Sequence, residues 1–193
     1  MIGGMGLIQL REIREDDYKT LYSHMKRDFP SNELAPFFAI KRNFKKNIYD
    51  GFYMTENGAD IGYAVITSPE HLEYALINYF AVLPKYRSKG YGTAFLQNIF
   101  SIYPDRIFIV EVDNPSAAKT NAKRKEAVRR VRFYERAGFH VMPTVRAKIF
   151  GVDMLIMASV KFENMNAKDI MHSLYLSSFG SKKWLKFIDI LQQ

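Results

Sequence analysis

Val82-Leu83-Pro84-Lys85-Tyr86-Arg87-Ser88-Lys89-Gly90-Tyr91-Gly92-Thr93 is the stretch on which the reading of this chain turns. Glu73 to Val82 (EYALINYFAV) has the apolar, aromatic make-up of a strand, and Pro84 stops it. Leu96, Ile99, Phe100 and Tyr103 then recur at helical spacing. A strand that enters a polar, glycine-bearing loop and opens a helix aims its loop N–H groups, and the first free N–H groups of the helix, at one spot. The helix dipole favours an anion there. Gly90 and Gly92 let the backbone come close, since a Cβ at either would push a phosphate away. Arg87 and Lys89 add charge at the rim. On physical grounds this is a cradle for a pyrophosphate, and the plainer alternative is a glycine turn into a helix. Neither familiar nucleotide pattern fits. No Gly-x-x-x-x-Gly-Lys-Ser/Thr string exists, and the dinucleotide pattern would need a small residue where Phe95 stands.

Working outward, Ile8 to Ile13 alternates as a strand, and Glu15, Asp16 and Asp17 suit the positive end of a helix carrying Tyr18, Leu21, Tyr22 and Met25 on one face. Phe37, Ile40, Phe44 and Ile48 predict a second helix. Phe52 to Thr55 and Ile61 to Thr67 are strands joined by Asn57-Gly58, a strong hairpin signal. Ile107 to Val112 (IFIVEV) is short and nearly all apolar, as in a strand covered on both sides. Ala127, Val131 and Tyr134 mark one face of a basic helix that Gly138 ends. Phe139 to Val145 and Val152 to Val160 predict two more strands hinged near Gly151. Beyond Asn164, Ile170 and Leu174 predict one helix, and Trp184, Phe187, Ile188 and Leu191 another, with Gly180 between. The fold class expected is α/β: a mixed sheet domain over residues 1–163, with a helical extension over 164–193.

Composition narrows the function classes. With 48% hydrophobic and 25% charged residues among 193, the chain is an ordinary globular one and not a disordered tail. Cysteine is absent, which excludes a disulfide scaffold, a thiolate zinc site and a cysteinyl intermediate. His24, His71, His140 and His172 show no metal-ligand spacing, so no metal is expected. No apolar run approaches the ~20 residues of a membrane span, and Met1 to Gly6 lacks the pattern of a secretory signal. A soluble cytoplasmic protein without a membrane partner is the expectation. The net charge of +8 is concentrated. Lys119, Lys123, Arg124, Lys125, Arg129, Arg130, Arg132 and Arg136 face only Glu126 and Glu135 within one segment. Lys125, Arg129 and Arg132 share a helix face while Arg130 points elsewhere, so the segment fits an anionic ligand or a solvated face better than a nucleic-acid stripe, and no nucleic-acid partner is expected.

Arg87-x-x-Gly90-x-Gly92, preceded by Ala81-Val82-x-Pro84, resembles the CoA-binding signature of the GNAT acetyltransferase superfamily. Arg132-Phe133-Tyr134-Glu135-Arg136-Ala137-Gly138-Phe139 resembles that superfamily's Phe-Tyr-Glu-x-x-Gly-Phe helix end. The resemblance runs from about Ile8 to Val160 and leaves the tail outside. It implies an N-acetyltransferase with acetyl-CoA as cosubstrate and a primary amine of a small molecule, peptide or protein as acceptor. Arg87, Ser88, Lys89, Gly90, Tyr91, Gly92 and Thr93 would hold the pyrophosphate. Phe80 and Ala81 would line the pantetheine slot, and the Val82 N–H would polarise the thioester carbonyl. Asn114 matches a polar contact to the pantetheine arm, with an ordinary turn role as the alternative beside Pro115. Tyr134 matches the general acid at the departing sulfur; a phenol is protonated at neutral pH and can donate. The base is where the chain departs from its polyamine-acetylating relatives: Asn78 stands where they carry a carboxylate. Glu111 is the candidate base, with Glu73 acting through a water as the alternative. Asn78 also motivates a second reading, an acyl-CoA-binding sensor without turnover. The acceptor walls are expected from Asp28 to Tyr49, from the hairpin at Gly151 and from the tail, which is also a candidate homodimer contact.

Overall fold

The computed structural model describes residues 7–161 and 166–192. Met1 to Gly6 and the boundary placed between residues 163 and 164 lie outside them. The chain divides into two compact units, one of residues up to Ile66 with Asn78–Pro104, the other of Thr67–Ile77 with Asp105 onward.

In the first unit, β1 (Ile8–Glu12) pairs antiparallel with β2 (Asp50–Glu56), Ile8 lying opposite Glu56. β3 (Ala59–Thr67) continues the antiparallel order across a hairpin whose turn residues, Asn57 and Gly58, take φ of 50° and 81°. These positive angles match the twist of a two-residue hairpin, and Asn-Gly adopts them at little cost. β4 (Tyr74–Val82) contributes Asn78–Val82 here and its earlier residues to the second unit. α1 (Tyr18–Asp28) buries Tyr18, Leu21 and Met25, and α2 (Phe37–Lys45) buries Ile40 and Phe44, the faces expected from their spacing. With Tyr53, Tyr63 and Val65 they form this unit's core, in which Tyr18 stacks on Phe44 at 4.9 Å. Full burial of Leu21 or Met25 is worth roughly 1.5–3 kcal/mol each. α3 (Tyr91–Ile102) buries Phe95, Leu96 and Ile99.

The second unit holds β5 (Ile107–Asp113), α4 (Asn121–Arg136), β6 (His140–Val141), β7 (Val145–Ile149), β8 (Val152–Ala158), α5 (Ala167–Phe179) and β9 (Ile188–Gln192). β5 runs parallel to the start of β4, Tyr74 opposite Ile107 and Leu76 opposite Ile109. Its other edge pairs antiparallel with β8, Glu111 opposite Ile156. β7 joins β8 through Phe150 and Gly151, both at positive φ, where a hinge was expected. Each unit therefore mixes helices with mostly antiparallel strands, the α/β class read from sequence. Two expectations are corrected. Phe139 to Val145 is not one strand: Pro143, which lacks an N–H, falls between β6 and β7, and both pair separately with β8. Trp184 to Leu191 is not a helix. Lys182–Phe187 is a 3-10 turn, and Ile188 and Ile190 alternate inward with exposed Asp189 and Leu191 as β9 pairs antiparallel with β7. Helix α5 is the tail helix expected; its Met171, Leu174 and Tyr175 pack with Leu76, Ile109, Ile156, Ile188 and Ile190 in the second core.

Candidate active site

The first unit carries the glycine loop. Leu83 N–H bonds Ile61 C=O at 2.8 Å, which anchors the end of β4 before a 3-10 turn at Pro84–Tyr86. Gly62 of β3 allows this approach: a Cβ there would stand 2.8 Å from the Ala81 carbonyl oxygen. Phe80 is half-buried, with its ring 5.2 Å from Phe95, while Ala81 is buried and Val82 half-buried. After Arg87, Ser88 takes φ of 64° and Gly90 takes 86° as the N-cap of α3. The first i→i−4 bond of the helix runs from Ala94 N–H to Gly90 C=O at 3.2 Å, so the N–H groups of Tyr91, Gly92 and Thr93 precede it. Among the described residues, and apart from its own chain neighbours, no atom lies within 4 Å of where a Cβ on Gly90 would sit. A side chain added there would project into open space at the helix mouth, while the left-handed backbone would itself be strained. Arg87, Ser88, Lys89 and Gly90 are exposed. The residues fit a pyrophosphate: backbone donors at a helix start, open space before them and cations at the rim.

Arg87 does more than line a rim. Its Nε donates to the Val82 carbonyl at 2.8 Å and its Nη2 to Asp28 at 2.9 Å. Asp28, at the end of α1, also accepts from the Tyr63 hydroxyl at 3.0 Å and from Arg27 at 2.7 Å. Burial alone would raise the Asp28 pKa, but the hydrogen bonds from Arg27 and Tyr63, with the charge of Arg87, outweigh it and hold the carboxyl below its ordinary value. Tyr91 donates from its hydroxyl to Glu56 at 2.5 Å, fixing the first turn of α3 to β2.

The second unit carries the other candidates. Tyr134 sits in the last turn of α4, where the Phe139 N–H bonds the Tyr134 carbonyl at 2.9 Å and the Gly138 N–H bonds the Glu135 carbonyl at 3.0 Å. That Schellman ending, with Gly138 at φ 93°, brings the Phe139 ring to 5.3 Å from the Tyr134 ring. Burial pushes the Tyr134 phenol up to about 12, with Arg130 pulling weakly the other way, so it carries its proton at neutral pH. Glu111, half-buried on β5, accepts from the Tyr175 hydroxyl through both oxygens, at 2.7 and 2.8 Å. Asn114 caps the turn Pro115–Ala117: its side-chain oxygen accepts from Ser116 N–H at 2.9 Å, and its own N–H bonds Asp153 C=O at 3.0 Å. On α4, Arg130 pairs with Asp113 at 3.1 Å and Glu126 at 3.3 Å. Arg124, Lys125, Val128, Arg129, Arg132 and Arg136 line a shallow groove of about 430 Å³, with Arg130 outside it, as the spacing predicts. Among the described residues, no group of three or more His, Asp or Glu is arranged to hold a metal, and no helix is long and apolar enough to cross a membrane. Sequence reasoning missed Gly62 and Tyr175, and it placed Asp28 only on an acceptor wall.

Residues 49–141 match the family model described as Acetyltransferase (GNAT) domain. A GNAT-family protein of Bacteroides thetaiotaomicron is 20% identical over 90% of this chain and 99% of its own, with a TM-score of 0.75. The ribosomal-protein-S18-alanine N-acetyltransferase of Escherichia coli is 23% identical over 83% of this chain and 99% of its own, with a TM-score of 0.54. The dodecameric spermidine N-acetyltransferase of Vibrio cholerae is 15% identical over 78% of this chain and 92% of its own, with a TM-score of 0.58. No curated protein sequence matches the chain. These likenesses define an acyltransferase fold. Residues 49–141 thus match the GNAT acetyltransferase domain, and the chain shares the fold of these acetyltransferases.

Proposed function

We propose that this chain is an N-acetyltransferase that moves the acetyl group of acetyl-CoA directly onto a primary amine of a small-molecule, peptide or protein acceptor. The observation that carries the reading is the left-handed Gly90 opening α3, with the N–H groups of Tyr91, Gly92 and Thr93 preceding the first helical bond. These donors, with Ser88, Lys89 and the unbonded N–H groups of Arg87, take the pyrophosphate, and Phe80 and Ala81 line the pantetheine arm, to which Asn114 adds a polar contact. Holding the thioester in this way turns a bimolecular encounter into an oriented one.

The chemistry balances with two side chains. Glu111 takes a proton from the acceptor ammonium. The freed nitrogen attacks the acetyl carbon while the Val82 N–H supports the negative oxygen. The N–C bond forms, the C–S bond breaks, and the departing thiolate takes the proton of Tyr134. The nitrogen gives up its second proton to the Tyr134 phenolate through water, and Glu111 releases its proton to solvent, leaving a neutral amide, free CoA and both side chains as they began. Residues 1–163 form the acetyltransferase domain in this reading, with 164–193 as its extension, a homodimer contact among its candidate roles. A cysteine-free chain also suits a reducing cytoplasm. No metal takes part in this scheme.

The test is a panel of amines incubated with acetyl-CoA, with release of free CoA followed by thiol detection and the acetylated product by mass spectrometry. The reading expects at least one class of primary amine to be acetylated. Stoichiometric acetyl-CoA binding with no product from any class would favour the sensor instead.

A further inference from the structure

We propose that Tyr175 of α5 is a positioning residue for Glu111, its hydroxyl keeping that carboxylate ionised and aimed, so that the segment after residue 163 takes part in the chemistry. The inference rests on the reading of Glu111 as the base. The Tyr175 oxygen stands 2.7 Å from one carboxylate oxygen and 2.8 Å from the other, so one phenolic proton is shared across both. The phenol is held in place. Tyr175 is 6% exposed, stacked on Phe179 at 5.3 Å and met by Phe150 at 6.5 Å. Phe150 is in turn stacked on Phe187 at 5.7 Å and keeps a φ of 47°, a conformation that bulky residues rarely adopt.

Glu111 needs such a donor. It lies opposite Ile156 across the β5–β8 ladder, and Ile109, Met154 and Leu174 belong to the same apolar core as Tyr175. That setting disfavours a charged carboxylate, whereas a hydrogen bond donated to the anion favours it. Other titratable groups on the packed elements include Asp113 of β5, paired with Arg130; Asp153 of β8; Tyr74 of β4; Asp189 of β9; and Lys168, Asp169 and His172 of α5, the His172 Nε2 lying 3.1 Å from Ile188 C=O. Arg146 and Lys148 of β7 alternate outward from its buried Val145, Ala147 and Ile149. Tyr175 reaches both oxygens of Glu111.

The test uses the full chain and needs no acceptor. Glutamate carboxyls are labelled with ¹³C and titrated by NMR, the Glu111 resonance being assigned by its loss in Glu111→Gln. Tyr175→Phe keeps the ring and its stacking, and should raise the Glu111 pKa by about one to two units. Site-specific 3-fluorotyrosine at 175, a stronger donor of the same shape, should lower it, and this serves even where the Phe variant folds poorly. An unchanged Glu111 pKa in both overturns the proposal. With an amine that the enzyme acetylates, Tyr175→Phe should shift the acid limb of kcat/KM to higher pH yet add nothing in a Glu111→Gln background. An equal loss in both backgrounds would make Tyr175 a packing residue. If the pKa moves but Glu111→Gln retains full activity, the base assignment fails and this role fails with it. If Glu111→Gln is impaired and the pKa stays fixed, the base stands and Tyr175 alone is refuted.

Discussion

Arg87 Nε donates to the Val82 carbonyl at 2.8 Å, while the same guanidinium reaches Asp28 at 2.9 Å. One side chain thus ties the start of the glycine loop to the strand end that precedes it and to the last residue of α1. The proposed donor of the oxyanion contact, Val82, therefore has its own carbonyl fixed by the residue that opens the cradle.

Asp28 is the hub of that tie, and its titration gives a signed prediction. Its pKa is lowered in the folded chain, so its stabilisation is present above the ordinary value of 3.8 and is lost as pH falls through the folded value. Asp28→Asn should lower stability at pH 7 by about 1–3 kcal/mol, since Arg87, Arg27 and Tyr63 lose a charged partner. Urea midpoints measured from pH 7 to pH 3 should show the gap closing below pH 4. A gap of equal size at both ends would contradict the role.

Gly62 is a close-approach glycine and not a flexible one. Gly62→Ala places a Cβ 2.8 Å from a backbone oxygen of Ala81, which can yield only if the strand end shifts. The variant should lose roughly 1–3 kcal/mol and bind acetyl-CoA more weakly, because the shift falls on the Ala81–Val82 segment. Urea unfolding and calorimetry check the two parts.

Tyr134→Phe removes the proton proposed for the departing thiolate and leaves the ring that packs on Phe139. With a turned-over amine, kcat should fall by about 10²–10⁴-fold, while acetyl-CoA affinity changes little. Loss of binding in step with loss of rate would make Tyr134 a packing residue.

The exposed cations of α4 should give no selective nucleic-acid binding. At physiological salt, duplex DNA or RNA should bind no tighter than non-specifically, with Kd of about 10⁻⁴–10⁻⁶ M. Fluorescence anisotropy checks this, and a nanomolar, sequence-selective complex would contradict it.

Local signals were legible and distant ones were not. Asn57-Gly58 and Gly138 announce a hairpin and a helix end because the backbone angles they permit are properties of those residues alone. The loop from Arg87 to Thr93 announced itself in the same way, as glycines between a strand and a helix. By contrast, Ile188 to Gln192 became a strand because the edge of β7 was there to pair with it, and the aromatic spacing of Trp184 and Phe187 carried no sign of that edge. The bonds from Arg87 to Asp28 and from Tyr175 to Glu111 join residues 59 and 64 positions apart. Nothing in either local sequence names its partner.

Calorimetric titration of acetyl-CoA into the wild-type chain and into Gly90→Val tests the central claim most directly. The left-handed backbone at Gly90, φ 86°, and the open space before it are what the proposed cradle requires. Wild type should bind one acetyl-CoA per chain. Gly90→Val should show no measurable binding, since its side chain projects into the space before the helix and strains the left-handed backbone there, while the far-UV circular dichroism spectrum keeps its helical content because the strain is local. Undiminished binding by a folded Gly90→Val chain would contradict the account.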